Sequence, residues 1–261
     1  MSTRIPTLSP DVGKIVFAPV PVPPSEFDCL RGRVIVLEGV MGTGKSLLGR
    51  SIVHYLTKKC DIPARFYEEY VNKDLLDMYL KDPARYAFSF QVIMVQKRID
   101  RYVQEILPFI RTGGVAVVDR FIMGDISFEM AGYKRGHISA EEHKVYWGML
   151  KRLEAVPAPD YQVYLECRPD EGLKRIAHRG NTSEISSYKP EHMVNMDVLH
   201  RETFALCGAD IVVVDYNESL YIKGDGHLRW RDVSRVIRSI MSSSGRRGVV
   251  PPLPPRSAEV L

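Results

Sequence analysis

Residues 39–46 read Gly-Val-Met-Gly-Thr-Gly-Lys-Ser, which matches the pattern G-x-x-x-x-G-K-S. The apolar run Arg33-Val-Ile-Val-Leu37 precedes this stretch and predicts a buried strand, and residues 47–56 carry Leu, Ile and Val at helical spacing. A glycine-rich loop between a strand and a helix turns backbone N–H groups toward phosphates, while Lys reaches the β/γ-phosphates and Ser binds Mg²⁺. The pattern alone occurs by chance, but this context predicts a nucleoside triphosphate site formed by Gly39, Gly42, Thr43, Gly44, Lys45 and Ser46.

The chain on both sides of this loop alternates apolar runs with helical periods. Strands are predicted at 33–37, 64–68, 114–118, 161–166 and 210–214, and helices at 45–59, 84–110, 121–134, 139–155, 169–179, 190–207 and 230–241. Apolar strands joined through helices predict an α/β fold with a five-stranded parallel sheet covered on both faces. Ligands bind beyond the carboxyl ends of such strands, so functional residues are expected at that edge.

Length and composition are those of a soluble globular protein. The chain has 261 residues, of which 45% are hydrophobic and 26% charged, and no segment approaches the ~18 apolar residues of a membrane helix. The net charge of +4 is too small to imply a nucleic-acid partner. The cysteines stand singly at Cys29, Cys60, Cys167 and Cys207, so neither a zinc site nor a disulfide framework is predicted, and a reducing, cytoplasmic location is expected.

Both ends of the chain are predicted to be flexible and Pro-rich, on either side of one domain at residues 31–241. Residues 1–30 contain six prolines, show little helical periodicity and lack the features of a signal or transit peptide. Residues 242–261 include Pro251-Pro-Leu-Pro-Pro-Arg256, which fits the P-x-x-P-x-R pattern of an SH3-domain ligand. Because that pattern is short and common, a solvated tail without a partner is the favoured interpretation.

Charged side chains follow the second and third predicted strands. Glu68 and Glu69 come at the end of the second strand, and Asp119-Arg120 follows the third. A carboxylate at this edge can accept a proton from an attacking hydroxyl, and an Asp beside a phosphate-binding loop can hold Mg²⁺. The alternatives are a solvated charge at the strand end and a structural ion pair.

Two helices carry polar pairs on one face. Gln91 and Arg98 are seven residues apart among apolar neighbours, so both can face a nucleobase, although a polar stripe facing water has the same spacing. Arg175 and Arg179 lie on a helix that runs into a polar loop containing glycine, which predicts a mobile lid with cations over the transferring phosphate. A charged surface helix is the alternative.

The order of these motifs over residues 32–215 resembles that of the deoxynucleoside kinases, the family of deoxycytidine, deoxyguanosine and deoxyadenosine kinases. The run Asp82-Pro-Ala-Arg-Tyr-Ala-Phe-Ser-Phe-Gln91 is similar to the family's Tyr-x-Asp-Pro-x-Arg-Trp/Tyr-Ala-Phe-x-Phe-Gln and is the most specific match. Glu69-Tyr70-Val71 stands in the place of Glu-Pro-Val, and Asp119-Arg120-Phe121 in that of Glu/Asp-Arg-Ser. The resemblance implies a homodimeric P-loop kinase with an arginine-bearing lid. It also implies ATP- and Mg²⁺-dependent phosphorylation of the 5′-hydroxyl of a deoxynucleoside in nucleotide salvage.

The resemblance further implies a role for each residue of the reacting centre. Glu69 would take the proton of the 5′-hydroxyl, with Glu68 as the fallback. Ser46 and Asp119 would hold Mg²⁺, and Arg120 would orient the acceptor.

Substrate-binding roles follow from the same resemblance. Gln91, Arg98 and Asp125 would contact the base, which favours deoxycytidine or a purine deoxynucleoside over thymidine. Contacts to the phosphates and to the sugar 3′-hydroxyl would come from the lid, through Arg175, Arg179 and Glu184.

The sequence departs from the family pattern at several positions. Tyr70 replaces the proline of Glu-Pro-Val. The tyrosine that contacts the 3′-hydroxyl is expected at position 80, where Leu80 stands, and Tyr79 lies one place early. The phenylalanine that stacks on the base is expected at Glu129, whereas Phe128 is one place early. These departures affect the expected substrate more than the expected reaction.

Two alternatives remain open at this point. Asp119-Arg120-Phe121 also resembles the Asp-Arg-Tyr/Phe motif of nucleoside monophosphate kinases of the thymidylate kinase type, but no Glu-Pro-Gly follows the second strand. A non-enzymatic structural relative would be expected to lose the loop lysine or the Asp-Arg pair, and this chain has both.

Overall fold

The computed structural model describes residues 5–8, 15–18, 25–151, 158–180, 182–207, 211–217 and 226–242. Near the start of the chain, β1 (Ile5–Leu8) and β2 (Ile15–Ala18) pair in antiparallel fashion. The central sheet consists of five parallel strands in the order β4-β5-β3-β6-β7. These are β3 (Val34–Glu38), β4 (Ala64–Tyr67), β5 (Val115–Asp119), β6 (Tyr161–Glu166) and β7 (Ile211–Asp215). The predicted fold class is confirmed, and each of these five strands lies within one residue of its predicted bounds, whereas β1 and β2 were not predicted.

Helices flank this sheet. They are α1 (Lys45–Lys59), α2 (Lys73–Lys81), α3 (Pro83–Arg101), α4 (Leu107–Arg111), α5 (Ile122–Lys134), α6 (Ala140–Lys151), α7 (Pro169–Arg179), α8 (Thr182–Ser187), α9 (Pro190–Cys207) and α10 (Trp230–Ser242). A π-helical turn, Tyr102–Ile106, joins α3 to α4, so the predicted helix at 84–110 is three successive helical segments. Sequence periodicity did not predict α2, and α8 occupies a segment expected to be a polar loop. No helix in the described part of the chain combines the length and hydrophobicity needed to cross a bilayer.

Side-chain caps fix the junction between α2 and α3. The Asn72 carboxamide oxygen accepts from the backbone N–H of Leu75 at 3.1 Å at the start of α2. Asp82 caps the start of α3 by accepting from the N–H of Arg85 at 3.2 Å, and Pro83 occupies the first position of that helix. A proline disfavours the helical conformation of the residue before it, so α2 ends at Lys81 and the chain turns into α3.

Alternate residues of β3 contribute to separate cores on the two faces of the sheet. Ile35 and Leu37 pack with α1 and α10, whereas Val34 and Val36 pack with α3, α5 and α6. All four side chains are buried. Burying an aliphatic side chain contributes about 1.5–3 kcal/mol, so both faces hold the central strand, and the loop that follows it, in place.

The packed core begins before the predicted domain boundary at residue 31. Phe27 and Leu30 are buried against the α1 side of the sheet, within the segment 1–30 that was expected to be flexible. The strands β1 and β2 also lie within that segment. The predicted flexible tail overlaps the structure at Ser242, the last residue of α10, and residues 243–261, including the proline-rich motif, lie outside the described part of the chain.

Candidate active site

Glycines shape the loop at residues 39–46 because side chains at two positions would collide with neighbouring atoms. A Cβ atom on Gly42 would lie 2.3 Å from the carbonyl oxygen of Gly172, and one on Gly44 would lie 2.8 Å from the ring of Tyr216. The φ angles of Gly42 and Gly44 are +74° and +95°, which other residues rarely adopt. Helix α1 begins at the next residue, so its positive end adjoins the loop.

Lys45 lies folded against this loop. Its ammonium group donates to the carbonyl oxygens of Gly39 and Val40 at 3.0 and 2.9 Å. Burial lowers the pKa of Lys45 to about 8, although the negative charges of Asp119 and Glu69 oppose that shift. The loop lysine and the two predicted acidic residues therefore lie within electrostatic reach of one another.

Ser46 and Asp119 meet at the end of β5. The Ser46 hydroxyl donates to Oδ2 of Asp119 at 2.8 Å. The other carboxylate oxygen, Oδ1, is buried and accepts no hydrogen bond from the described residues. Burial raises the pKa of Asp119, and the nearby Lys45 charge opposes this effect. A hydroxyl beside an incompletely paired carboxylate is a suitable start for an oxygen-ligated cation site.

Glu69 lies between two guanidinium groups. Arg120 donates from Nε at 3.2 Å to one carboxylate oxygen, and Arg98 donates from Nη2 at 3.3 Å to the other. Burial alone would raise the pKa of Glu69, but the charges of Arg120 and Arg98 outweigh it and hold the pKa below its usual value. Glu68 is exposed and pairs with Arg50 at 2.6 Å, away from this cluster. Of the two candidate bases, Glu69 therefore adjoins the other predicted residues.

Arg98 and Asp125 form a buried bidentate pair between α3 and α5. The guanidinium donates from Nε and Nη2 to the two carboxylate oxygens at 2.6 and 2.9 Å. Its Nη1 donates to the carbonyl oxygen of Arg120 at 2.9 Å and lies 3.3 Å from that of Asp119. Gln91 is buried two turns earlier on the same helix. Arg98 thus ties the predicted base-binding residues to the end of β5.

Tyr79 lies beside the predicted base-binding helix. Its ring stacks on Phe90 with centroids 4.9 Å apart and planes at 11°, next to Gln91 in sequence. Leu80, which stands at the position that the family pattern favours, is half-buried on α2, the helix that also carries Tyr79. Burial raises the pKa of the Tyr79 phenol.

The phenylalanine that adjoins the cluster is Phe128. The guanidinium carbon of Arg120 lies 5.0 Å from the centre of the Phe128 ring, within the range of a cation–π contact. Glu129 is fully buried and lies 2.8 Å from the Nδ1 atom of His143 on α6. The one-residue displacement noted in the sequence therefore leaves an aromatic ring beside Arg120.

Comparison with known proteins assigns this arrangement to a family. The family model for deoxynucleoside kinases matches residues 35–227. The chain belongs to the deoxynucleoside kinase family. It is therefore a phosphotransferase that uses a nucleoside triphosphate as its phosphate donor.

Individual relatives resemble this chain in sequence or in fold over most of its length. The chain is 32% identical to a deoxyguanosine kinase of Lactobacillus johnsonii over 60% of its own length and 68% of that protein. It is 24% identical to a deoxyguanosine kinase of Dictyostelium discoideum over 71% of its length and 64% of that protein. The structure of deoxyadenosine kinase from M. mycoides with bound dCTP superposes with a TM-score of 0.62 at 19% identity, covering 80% of this chain and 99% of that one. Thymidylate kinases match less well.

The two arginines predicted to belong to a lid have different surroundings. Arg175 donates to the carbonyl oxygens of Thr43 and Tyr216 at 2.9 and 3.0 Å, so it ties α7 to the loop at residues 39–46. Arg179 is largely exposed at the end of α7, 3.6 Å from the carboxylate of Glu184 on α8. Glu184 itself is mostly buried. Of the two, Arg175 is held by backbone carbonyls, whereas Arg179 pairs with another candidate residue.

Sequence reasoning missed two buried groups of the candidate site. Glu38, the last residue of β3, accepts from the backbone N–H groups of Phe121 and Gly124 at 2.7 and 3.3 Å, and burial raises its pKa to about 7. His200 on α9 contacts Arg120 with 3.4 Å between Nε2 and Nη1. An acidic residue ending an otherwise apolar strand was a visible signal for Glu38, whereas no sequence pattern marked His200.

Proposed function

We propose that this chain transfers the γ-phosphoryl group of ATP, with Mg²⁺, to the 5′-hydroxyl of a deoxynucleoside in nucleotide salvage. Deoxycytidine and the purine deoxynucleosides are the favoured acceptors. Glu69 takes the proton from the attacking hydroxyl, and Arg120 orients the acceptor. Lys45 and the loop amides bind the β- and γ-phosphates, and the lid arginines Arg175 and Arg179 neutralise charge on the moving phosphoryl group.

The observation that carries the proposal is the position of the Glu69 carboxylate. It is held by Arg98 and Arg120 at 3.3 and 3.2 Å and interacts with the Lys45 charge. Its lowered pKa keeps it ionised near neutral pH, so that it is ready to accept a proton. A base fixed beside the phosphate-binding lysine supports in-line transfer, since phosphoryl transfer is catalysed mainly by positioning and by charge neutralisation.

The residues at the end of β5 fit a Mg²⁺ ion. Ser46 and Asp119 offer a hydroxyl and a carboxylate in contact at 2.8 Å, and one buried oxygen of Asp119 accepts no hydrogen bond from the described residues. Hard oxygen ligands of this kind suit Mg²⁺, which also retains waters and phosphate oxygens as ligands. When bound, the ion would neutralise charge on the β- and γ-phosphates.

The choice of acceptor rests on the base-binding residues and on the relatives. Gln91 offers an amide, and the Arg98–Asp125 pair fixes a charged donor and acceptor nearby. Such a set suits a base with an exocyclic amino group. Relatives named deoxyguanosine kinase and deoxyadenosine kinase support a purine deoxynucleoside. Tyr79 and Glu184 are the proposed contacts of the sugar 3′-hydroxyl.

A turnover panel tests the proposal. The four deoxynucleosides and thymidine monophosphate are each offered with ATP and Mg²⁺, and nucleotide products are separated by chromatography. We expect the 5′-monophosphate of deoxycytidine or of a purine deoxynucleoside. Turnover of thymidine monophosphate alone would favour a monophosphate kinase instead, and no turnover of any acceptor would refute the proposal. Omitting Mg²⁺ should abolish the reaction.

The predicted homodimer is also part of the proposal. Ile93 on α3 and Val145 on α6 are exposed apolar residues on helices that contact each other, which supports an interface on this side of the molecule. Light scattering coupled to size-exclusion chromatography would test it, since a monomeric mass at micromolar concentration contradicts the dimer.

A further inference from the structure

Arg120 is unusual in both its backbone conformation and the burial of its charged side chain. Its φ angle is +66°, in the left-handed region that a non-glycine residue rarely occupies. Its side chain is almost completely buried, so the guanidinium requires hydrogen-bond acceptors within the protein. Glu69 accepts from Nε, and a second contact, to Nη1, comes from a residue of α9.

His200 makes that contact, and the hydrogen-bond partners of its two ring nitrogens fix the tautomer of the imidazole. The carbonyl oxygen of Met196 lies 2.7 Å from Nδ1 and can only accept, so Nδ1 carries the proton. The guanidinium of Arg120 can only donate, so Nε2, 3.4 Å from Nη1, is the acceptor. Both requirements are met by one neutral tautomer of the imidazole.

We propose that His200 is a positioning residue that holds the Arg120 guanidinium in the orientation required for phosphoryl transfer. The inference rests on the proposed function of the site. It gives α9, the helix that follows the lid segment α8, a direct connection to the reacting centre.

The environment of His200 keeps Nε2 unprotonated, so that it can accept a hydrogen bond. The side chain is fully buried, and the rings of Phe128, Tyr164 and Phe204 surround it with centroids 5.8, 5.9 and 6.3 Å away. Burial, aided by the charge of Arg120, lowers the pKa of His200 to about 3. The imidazole therefore stays neutral, and Nε2 stays an acceptor, throughout the pH range in which the enzyme would be assayed.

Substitution by residues of similar length separates the hydrogen bond from packing. Gln in His200→Gln retains an acceptor, whereas Met in His200→Met has nearly the same shape with only a weak one. We expect H200M to lower kcat roughly 10- to 100-fold, with a smaller change in KM for ATP, and H200Q to recover most of the loss. Thr203→Val is the matched control. Thr203 lies on the same helix as His200, and its buried hydroxyl accepts from Ser127 on α5 and donates to the carbonyl oxygen of Leu199 rather than contacting Arg120.

A second readout distinguishes positioning from general destabilisation. A displaced Arg120 would no longer lower the pKa of Glu69, so the acid limb of the kcat/KM profile should move to higher pH in H200M but not in T203V. Equal turnover and equal pH profiles in H200M and wild type would overturn the inference. So would equal losses in H200M, H200Q and T203V, which would indicate packing alone.

Nitrogen NMR of the wild-type protein tests the tautomer without any substitution. We expect ¹⁵N shifts of a neutral imidazole protonated at Nδ1 at pH 7. A proton on Nε2 would exclude it as an acceptor and refute the inference even if H200M does not fold. A wild type that phosphorylates no deoxynucleoside would instead refute the proposed function, whatever the tautomer of His200.

Discussion

Substitution of Gly124 by alanine tests the buried contact between β3 and α5. A Cβ atom at this position would lie 2.7 Å from Oε2 of Glu38, closer than real contacts allow. The carboxylate cannot move away freely, because its other oxygen accepts from the N–H groups of Phe121 and Gly124 itself. Alanine must therefore displace Glu38 or shift the first turn of α5.

The expected change in the free energy of unfolding of G124A follows from two opposing effects. Overpacking a well-filled interior costs about 1–3 kcal/mol, and weakening a hydrogen bond to a charged group adds to that cost. Replacing glycine by alanine within a helix stabilises the helix by at most about 1 kcal/mol. We therefore expect G124A to lose about 1–2 kcal/mol, or roughly 2–8 °C in melting temperature for a domain of this size.

Gly148 offers the matched control. It lies in α6, is exposed, and has no described atom within 4 Å of a Cβ built on it. G148A should therefore show only the helix-propensity gain, about 0.5–1 kcal/mol or roughly 1–4 °C.

Thermal unfolding by circular dichroism at pH 7 compares the two variants with wild type. The expected result is a lower melting temperature for G124A and a higher one for G148A. If G124A melted as high as G148A, Glu38 would not be fixed against α5, and the structural account of this contact would be wrong.

Three further predictions concern the site directly. Glu69→Gln should lower kcat about 10²- to 10⁴-fold while changing the melting temperature by only a few degrees, and normal turnover in steady-state assays would exclude Glu69 as the base. Glu38, with its pKa raised to about 7, binds a proton more tightly in the folded than in the unfolded state, so the stability from that proton is complete below about pH 4.5 and lost as pH rises through 7. The melting temperature of Glu38→Gln relative to wild type should therefore increase from pH 5 to pH 8, and a constant difference would contradict the assignment. Asp125→Asn removes the charge that pairs with Arg98, and we expect an increase of roughly 10-fold in KM for the deoxynucleoside with KM for ATP unchanged; equal effects on both would argue against a role in base binding.

The strands were predictable because their burial is visible in local composition. Residues 34–37 and 115–118 are apolar without interruption, and both stretches are buried on both faces of the sheet. The loop after β3 was also recognisable from local sequence, because the glycines and the lysine that define it all lie within residues 39–46. Local patterns were sufficient wherever the determining contacts lie close in sequence.

The helices that the prediction missed are short and have little burial. Helix α2 has only nine residues and none is fully buried, although Asn72 and Asp82 were available as capping signals. Helix α8 has only six residues. Its acidic residue Glu184 was predicted from family resemblance rather than from periodicity.

The missed site residues depend on contacts between distant parts of the chain. Glu38 meets Phe121 across 83 residues, and His200 meets Arg120 across 80. No local pattern indicates that an imidazole on α9 is the acceptor for a guanidinium beyond β5. Sequence reasoning therefore named charged groups that line the candidate site but not the groups that orient them.

The charges of the buried cluster nearly balance, which has a consequence for how a triphosphate can bind. Its cations and carboxylates are Lys45, Arg98 and Arg120 on one side and Glu38, Glu69, Asp119 and Asp125 on the other. Because burial raises the pKa of Glu38 to about 7, that carboxyl is partly protonated near neutral pH and the cluster has little net charge. An entering triphosphate brings negative charge that Arg98 and Arg120, already paired with carboxylates, cannot fully neutralise, whereas the Lys45 ammonium is held by backbone carbonyls. The additional positive charge must come from groups outside the cluster. The proposed Mg²⁺ ion can supply it, and so can Arg179 at the exposed end of α7 when it leaves the Glu184 carboxylate, 3.6 Å away.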